Sequence, residues 1–311
     1  MEKEFYERLE QKGVSRRDFL RFCTFLTATL GLSSSFIPQV SEVFAAPKQR
    51  PPVIWLQFGE CTGCTMAFLR SMYPWIADLV LDVLSIEYHE TIMAAAGKQA
   101  EENLKNAVEK YKGKFICVVE GAIATKYNGA YGKIGGRTFL EIAQEVIPQA
   151  LAVICMGTCA AFGGIQAAKP NPGGYQGVGE TLGIKPVNIS GCPPNPVNLI
   201  GTIVNYSLLG KLPALDQMGR PLFAYGTTIH DQCPRRSYFE TNNFVKEFGS
   251  IEAKMGYCLF KLGCKGPETY NNCPTAKFHG GTSWPIQVGH PCLGCSEPNF
   301  WDEMTPFYKE K

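Results

Sequence analysis

The sequence has no long run of either charge sign. Its 30 Lys+Arg stand against 28 Asp+Glu for a net charge of +2, which leaves no nucleic-acid footprint and no face for a polyanionic partner. It has no internal repeat and no low-complexity tract. The glycine-rich segments NGAYGKIGG and NPGGYQGVG match neither the P-loop nor G-x-G-x-x-G, so they read as loops without phosphate chemistry. No apolar run reaches the ~20 residues a spanning helix needs, and the tail WDEMTPFYKEK is polar and aromatic. What is plentiful is cysteine, with 13 in 311 residues. A chain this long that is 45% hydrophobic builds a core without covalent staples, so the thiols need another explanation.

The first 46 residues differ from the rest. A polar segment leads to SRRDFLRF, where Arg16 and Arg17 precede a mild apolar run from Phe22 to Ile37, followed by the small-residue site VFAAP. This order of parts predicts a twin-arginine export signal read by the twin-arginine translocase, with cutting near Ala45 or Ala46. The plainer alternatives are a membrane anchor or an amphipathic helix. The leader holds six Lys+Arg and six Asp+Glu, so the mature chain keeps a charge of +2, 24 minus 22. The mature protein is expected to be soluble, or held to a membrane only through a partner. Proteins on this export route fold and take up cofactors before crossing, which favours metal over a disulfide scaffold.

From about Pro51 to Gly210 short apolar runs alternate with helical patterns. VIWLQF, FICVVEG, ALAVICMG and KPVNISG read as buried strands. In KQAEENLKNAVEKYKGK, Leu104, Ala107, Val108 and Tyr111 recur at helical spacing. NPVNLIGTIVNYSLLG begins with Asn195 as N-cap and Pro196 at the first helical position, presents Leu199, Ile200, Ile203 and Val204 on one face, and stops at Gly210. Strands separated by helices predict an α/β, doubly wound parallel sheet. Beyond about Pro213 periodicity fades into Gly, Pro, Asn and Cys, with SYFETNNFVKEFGS as the one clear helical pattern. A loop-rich second domain is expected, rigid only with cofactors in place.

Cys61 and Cys64 form C-x-x-C after the first strand run, Cys159 follows the third, and Cys192 follows the fourth. Strand carboxyl ends in an open α/β sheet share one edge, so these four thiols are expected to converge. A tetrahedral zinc ion or a [4Fe-4S] cluster would suit them; a redox dithiol or two disulfides are the alternatives. Further on, His230 and Cys233 form H-x-x-C, Cys258 and Cys264 form C-x5-C, Cys273 stands in NNCPTAKFH, and Cys292 and Cys295 form a last C-x-x-C. Cys23 lies in the leader. Cys117 and Cys155 fall inside strand runs, where a thiol acts as a small hydrophobe. His89, His279 and His290 read as ordinary surface or core residues. Ten cysteines and one histidine remain as candidate ligands.

Taken in order, ECTGCT, MGTCAAFGGIQAAKPNP, SGCPPNP, HDQCPRR, the Cys258–Cys264 pair and WPIQVGHPCLGCSEPNFWD closely resemble the small subunit of nickel-iron hydrogenases, over essentially the whole chain including the leader. The resemblance implies a flavodoxin-like domain over 47–212, following a signal over 1–46, and a mainly helical or irregular iron-sulfur domain over 213–311. It implies Cys61, Cys64, Cys159 and Cys192 as ligands of a proximal [4Fe-4S] cluster. It makes His230, Cys233, Cys258 and Cys264 ligands of a distal [4Fe-4S] cluster, and Cys273, Cys292 and Cys295 those of a medial [3Fe-4S] cluster. Pro285 stands where a fourth medial thiolate would be. Oxygen-tolerant members carry extra cysteines at the places of Gly63 and Gly164, so a standard, oxygen-sensitive type is implied.

The same resemblance implies a periplasmic electron relay. A partner large subunit would hold the nickel-iron site, and a c-type cytochrome or membrane cytochrome subunit would accept the electrons near His230. Glu60 could serve proton traffic, although a carboxylate solvating a turn is the simpler account. The rivals are a respiratory quinone-reductase subunit sharing the first domain, which would lack the second domain and the leader, and a zinc or disulfide structural protein.

Overall fold

The computed structural model describes residues 2–11, 13–45, 50–71 and 84–310. Five strands, β1 (Pro52–Gln57), β2 (Ser85–His89), β3 (Ile116–Glu120), β4 (Ala152–Met156) and β5 (Val187–Ile189), form one parallel sheet in the order β2-β1-β3-β4-β5. This is the flavodoxin-like order, with its switch point between β1 and β3. Four of the strands lie within the apolar runs seen in the sequence. The fifth, β2, is an edge strand reading SIEYH, half-buried over its first three residues, so it lacks the continuous apolar signature.

Successive side chains point to opposite faces, and both faces are covered. Ile54, Leu56, Cys117, Val119 and Cys155 pack beneath the helices Lys98–Tyr111 and Phe139–Val146. Cys117 and Cys155 are fully buried, and that burial pushes both thiols far up, as inert core residues require. Val53, Trp55, Ile116, Val118, Ile154, Val187 and Ile189 meet the helix Pro196–Leu209 on the other side. That helix obeys its sequence signals. The Asn195 side chain accepts from Val197 N at 3.1 Å, Leu199, Ile200, Ile203 and Val204 are buried, and Gly210 closes the helix in the left-handed region at φ +65°.

The N-terminal segment forms helices Glu2–Gln11, Arg16–Thr29 and Ile37–Ala45. Phe19, Phe22, Leu26, Val40 and Phe44 join the same core as Trp55 and the Pro196–Leu209 helix, while Arg16 and Arg17 stay exposed behind the N-cap Ser15. Of the two expected cutting positions, Ala46 lies outside the described residues. No helix among those described is long and apolar enough to cross a membrane.

Beyond Pro213 the helices shorten to single turns, as the loss of periodicity predicts. One expectation is corrected. The helical pattern of SYFETNNFVKEFGS is realised only over Arg236–Glu240, because Asn242 turns the chain through φ +56° and Phe244 and Val245 then pair with Cys258. Cross-chain backbone bonds outcompete a local helix here.

Candidate metal centres

Strand β1 delivers Cys61 and Cys64 to the carboxyl edge of the sheet, β4 delivers Cys159 and β5 delivers Cys192. These four thiols are electrostatic neighbours, as the carboxyl-edge argument expects. Burial, then Glu120 and the other three sulfurs, push the Cys64 thiol well above its usual range. Burial raises Cys159 to about 11 and Cys192 to about 12. Buried thiols crowded together shed their protons only when a cationic core replaces them. All thirteen cysteines are free, which removes the disulfide reading.

The space beside the sulfurs is kept by glycine. A Cβ on Gly157, whose φ is +97°, would stand 2.4 Å from Cys64 Sγ, and one on Gly164 would stand 2.5 Å from Cys159 Sγ. At either position a Cβ would force the neighbouring sulfur to move. Among the described residues no three of His, Cys, Asp and Glu close tightly on one point. Thiols spread around a cleared cradle fit a multi-iron core.

Glu120, at the end of β3, has no signal in the sequence beyond a carboxylate closing the apolar run FICVVE. Only 1% exposed, it accepts from the backbone N–H of Cys64 at 3.0 Å and of Thr65 at 3.1 Å, from the Thr65 hydroxyl and from Trp55 Nε1 at 3.3 Å. The carboxylate thereby fixes the first turn of the Gly63–Leu69 helix and with it the Cys64 sulfur. Glu60 is different. It is half-buried, its Oε2 has no hydrogen-bond partner among the described residues, and burial followed by Glu120 raises it to about 6.

His230, Cys233, Cys258 and Cys264 line one small cavity with Pro267 and Ile286. His230 packs edge-on against Phe239 at 4.7 Å and is held below its usual pKa, first by burial and then by Arg236. A neutral imidazole is the form that binds metal. Cys273, Cys292 and Cys295 line a larger cleft together with Trp284 and Pro285, and Cys192 opens into it too. The eleven candidate ligands thus lie around three neighbouring places, with Cys192 shared between two of them. Of the remaining histidines, His89 packs on Trp55 at 4.9 Å inside the core, whereas His279, which is exposed, and His290, 3.0 Å from the Tyr308 hydroxyl, also line the cleft of Cys273, Cys292 and Cys295.

Sequence reasoning missed the scaffold joining these groups. Arg220, 3% exposed, bonds Asp216 at 2.7 Å and Glu297 at 2.9 Å, and Asn198 and Asn272 exchange a reciprocal amide pair at 3.1 and 2.8 Å. Asp216 is only four positions from Arg220, but Glu297 lies 77 positions from it and Asn272 lies 74 from Asn198, so only the fold makes those pairs.

A family model described as NADH ubiquinone oxidoreductase, 20 Kd subunit, matches residues 61–206. That match alone would keep the quinone-reductase reading alive. Residues 225–308 match the model for the C-terminal part of the NiFe/NiFeSe hydrogenase small subunit. Over 306 residues the chain is 51% identical to periplasmic [NiFe] hydrogenase small subunit 1 of Nitratidesulfovibrio vulgaris, covering 97% of this chain and 96% of that one. The chain belongs to the nickel-iron hydrogenase small subunits. It is the electron-transferring part of such an enzyme, and the second domain decides against the quinone-reductase rival. The quinone-reactive Ni/Fe-hydrogenase small chain of Wolinella succinogenes is 48% identical, over 96% of the present chain and 85% of its relative. The solved Ni-Fe-Se hydrogenase of Desulfomicrobium baculatum superposes with a TM-score of 0.80 at 36% identity, covering 85% of this chain and all of that one.

Proposed function

We propose that this hydrogenase chain holds three iron-sulfur clusters in series: a proximal [4Fe-4S] held by Cys61, Cys64, Cys159 and Cys192, a medial [3Fe-4S] held by Cys273, Cys292 and Cys295, and a distal [4Fe-4S] held by His230, Cys233, Cys258 and Cys264. When bound, the clusters supply one-electron redox chemistry; the protein positions them and tunes them through burial, charge and hydrogen bonds. One observation carries the reading. Neighbouring groups touch through their own ligands, since the Cys295 side chain bonds the Cys192 backbone and Cys292 N–H donates to Cys264 Sγ at 3.4 Å. Eleven side chains in three abutting sets make a line, whereas separate structural metal sites have no need to adjoin.

The residues divide the work. Glu120 clamps the Cys64 turn, Gly157 and Gly164 keep space beside the proximal sulfurs, and Pro285 occupies the medial cleft with no group to offer iron. His230, half-buried at the edge of its cavity, marks the exit toward an acceptor, for which a c-type or membrane cytochrome is the proposed class. The nickel-iron site belongs to the large subunit, which this chain would meet at the proximal edge. Relatives named periplasmic and the exposed Arg16–Arg17 pair support export by the twin-arginine translocase and a periplasmic enzyme, with any membrane association made through a partner. We propose boundaries at 46/47 and 212/213, and, from glycine at positions 63 and 164, an oxygen-sensitive type.

Low-temperature electron paramagnetic resonance of the purified complex tests this, first air-oxidised and then under hydrogen. A sharp three-iron signal that disappears under hydrogen is expected. An iron-free complex, or one containing only zinc, would overturn it. Cys64→Ser is expected to abolish hydrogen-dependent dye reduction.

A further inference from the structure

The hydroxyl of Thr158 touches two ligand groups at once. Thr158 is 1% exposed and precedes the proximal ligand Cys159. Its backbone N–H donates to Gly191 O at 3.0 Å, and its Oγ1 accepts from Gly191 N at 2.8 Å, beside the proximal ligand Cys192. The same Oγ1 donates to the carbonyl of the medial ligand Cys295 at 2.5 Å. A threonine hydroxyl has one proton to give, and here it goes to the far side of the seam.

We infer that Thr158 is a positioning residue for electron transfer, locking the Cys192 loop to the Cys295 loop and so holding the proximal and medial groups at a working separation. The inference rests on the cluster assignment proposed above. Each loop is also braced by its own neighbours. Gly191 lies so close to Pro194 that a Cβ would stand 2.6 Å from its Cα, and the carbonyl after Cys295, that of Ser296, is held by Arg220 at 3.3 Å. Thr158 ties one to the other beside the ligands, next to the bond between the Cys295 side chain and the Cys192 backbone. Tunnelling falls exponentially with distance, so a small slackening of this seam slows electron passage without removing a ligand. A buried hydroxyl with both its bonds made also keeps that seam dry and polar-satisfied.

The test uses the whole complex with Thr158→Val, which keeps the shape and removes the hydroxyl, and Thr158→Ser, which keeps the hydroxyl. Iron content, hydrogen–deuteron exchange, which needs no electron exit, and rapid-freeze paramagnetic resonance after mixing with hydrogen are measured together. The expected result is an iron-replete Thr158→Val complex that still exchanges isotopes but loses its three-iron signal several-fold more slowly, with Thr158→Ser at the wild-type rate. An iron-replete Thr158→Val at the wild-type rate overturns the inference. Should Thr158→Val fail to take up iron, Thr158→Ser decides: the wild-type rate upholds the hydroxyl's role, and a slowed, iron-replete Ser variant overturns it. An iron-free wild-type complex would instead sink the cluster assignment.

Discussion

The backbone N–H of Cys292 donates to the sulfur of Cys264 across 3.4 Å. In the proposed assignment one residue holds the medial cluster and the other the distal one, so the peptide that positions the first would also set the electrostatics of the second. Cys258, in the same distal group, has no such link to the medial set among the described hydrogen bonds. Replacing Cys258 with serine is therefore expected to alter the distal spectrum alone. Replacing Cys264 is expected to alter both distal and medial signals. Paramagnetic resonance of the two variants checks this, and identical spectra would show that the link carries no weight.

Pro285 lines the medial cleft with Cys273, Cys292 and Cys295. A thiol at that position would complete a fourth ligand, and four thiolates favour a four-iron core. Pro285→Cys is expected to abolish the sharp three-iron signal of the oxidised enzyme and raise its iron content by one atom. Persistence of that signal at full intensity would place the fourth corner elsewhere.

Arg220 is buried between Asp216 and Glu297, and its guanidinium lies 5.4 Å from the Tyr225 ring and 5.7 Å from that of Tyr270. Removing one partner of a buried pair leaves an uncompensated charge and costs about 3–5 kcal/mol. Arg220→Met should lower the thermal midpoint of the complex accordingly. The loss should be larger at pH 8 than at pH 5, because Glu297, already raised by burial and no longer opposed by Arg220, can take a proton at the lower pH. A loss independent of pH would point to packing rather than charge.

Glu90, at the end of β2, is raised from 4.5 to about 7, chiefly by burial. The folded state then holds its proton where the unfolded chain has released it, so the group lowers stability progressively as pH rises from about 4.5 to about 7. His89 works in the opposite sense. Burial lowers it to about 4, so its contribution is present above its ordinary 6.5 and is lost as pH falls toward 4. Subtracting the unfolding profile of Glu90→Gln from that of wild type isolates Glu90. The difference should be near zero at pH 4 and on the order of 1 kcal/mol in favour of the variant at pH 8, after allowance for partial exposure. A flat difference would mean the carboxyl is solvated.

Glu120 shows how far sequence reading could reach toward the site. Its neighbours Cys61 and Cys64 announce themselves by spacing, because two thiols three apart after a strand belong to a small set of chemistries. Glu120 is a single acid at the end of ICVVE, indistinguishable in one dimension from a solvated strand end. Its role appears only when β3 lies beside β1 and the carboxylate meets the N–H groups of Cys64 and Thr65. Thr158 is hidden in the same way, since MGTCAAFGG reads as a turn and its partner Cys295 is 137 positions later.

Local chemistry sufficed for much of the rest. Apolar runs bounded by turn residues specified four strands, and an Asn-Pro start with a Gly stop specified the Pro196–Leu209 helix, because caps and periodicity act over a few residues. The candidate ligands were legible because cysteine in excess of any core requirement has few other uses. Tertiary structure alone decided that the polar edge strand β2 completes the sheet and that SYFETNNFVKEFGS breaks at Asn242 to pair with Cys258. It also decided that three ligand groups abut through Cys192, Cys295, Cys292 and Cys264. These are contacts between distant segments, and their free energy comes from burial and hydrogen bonds that exist only once the chain has closed on itself.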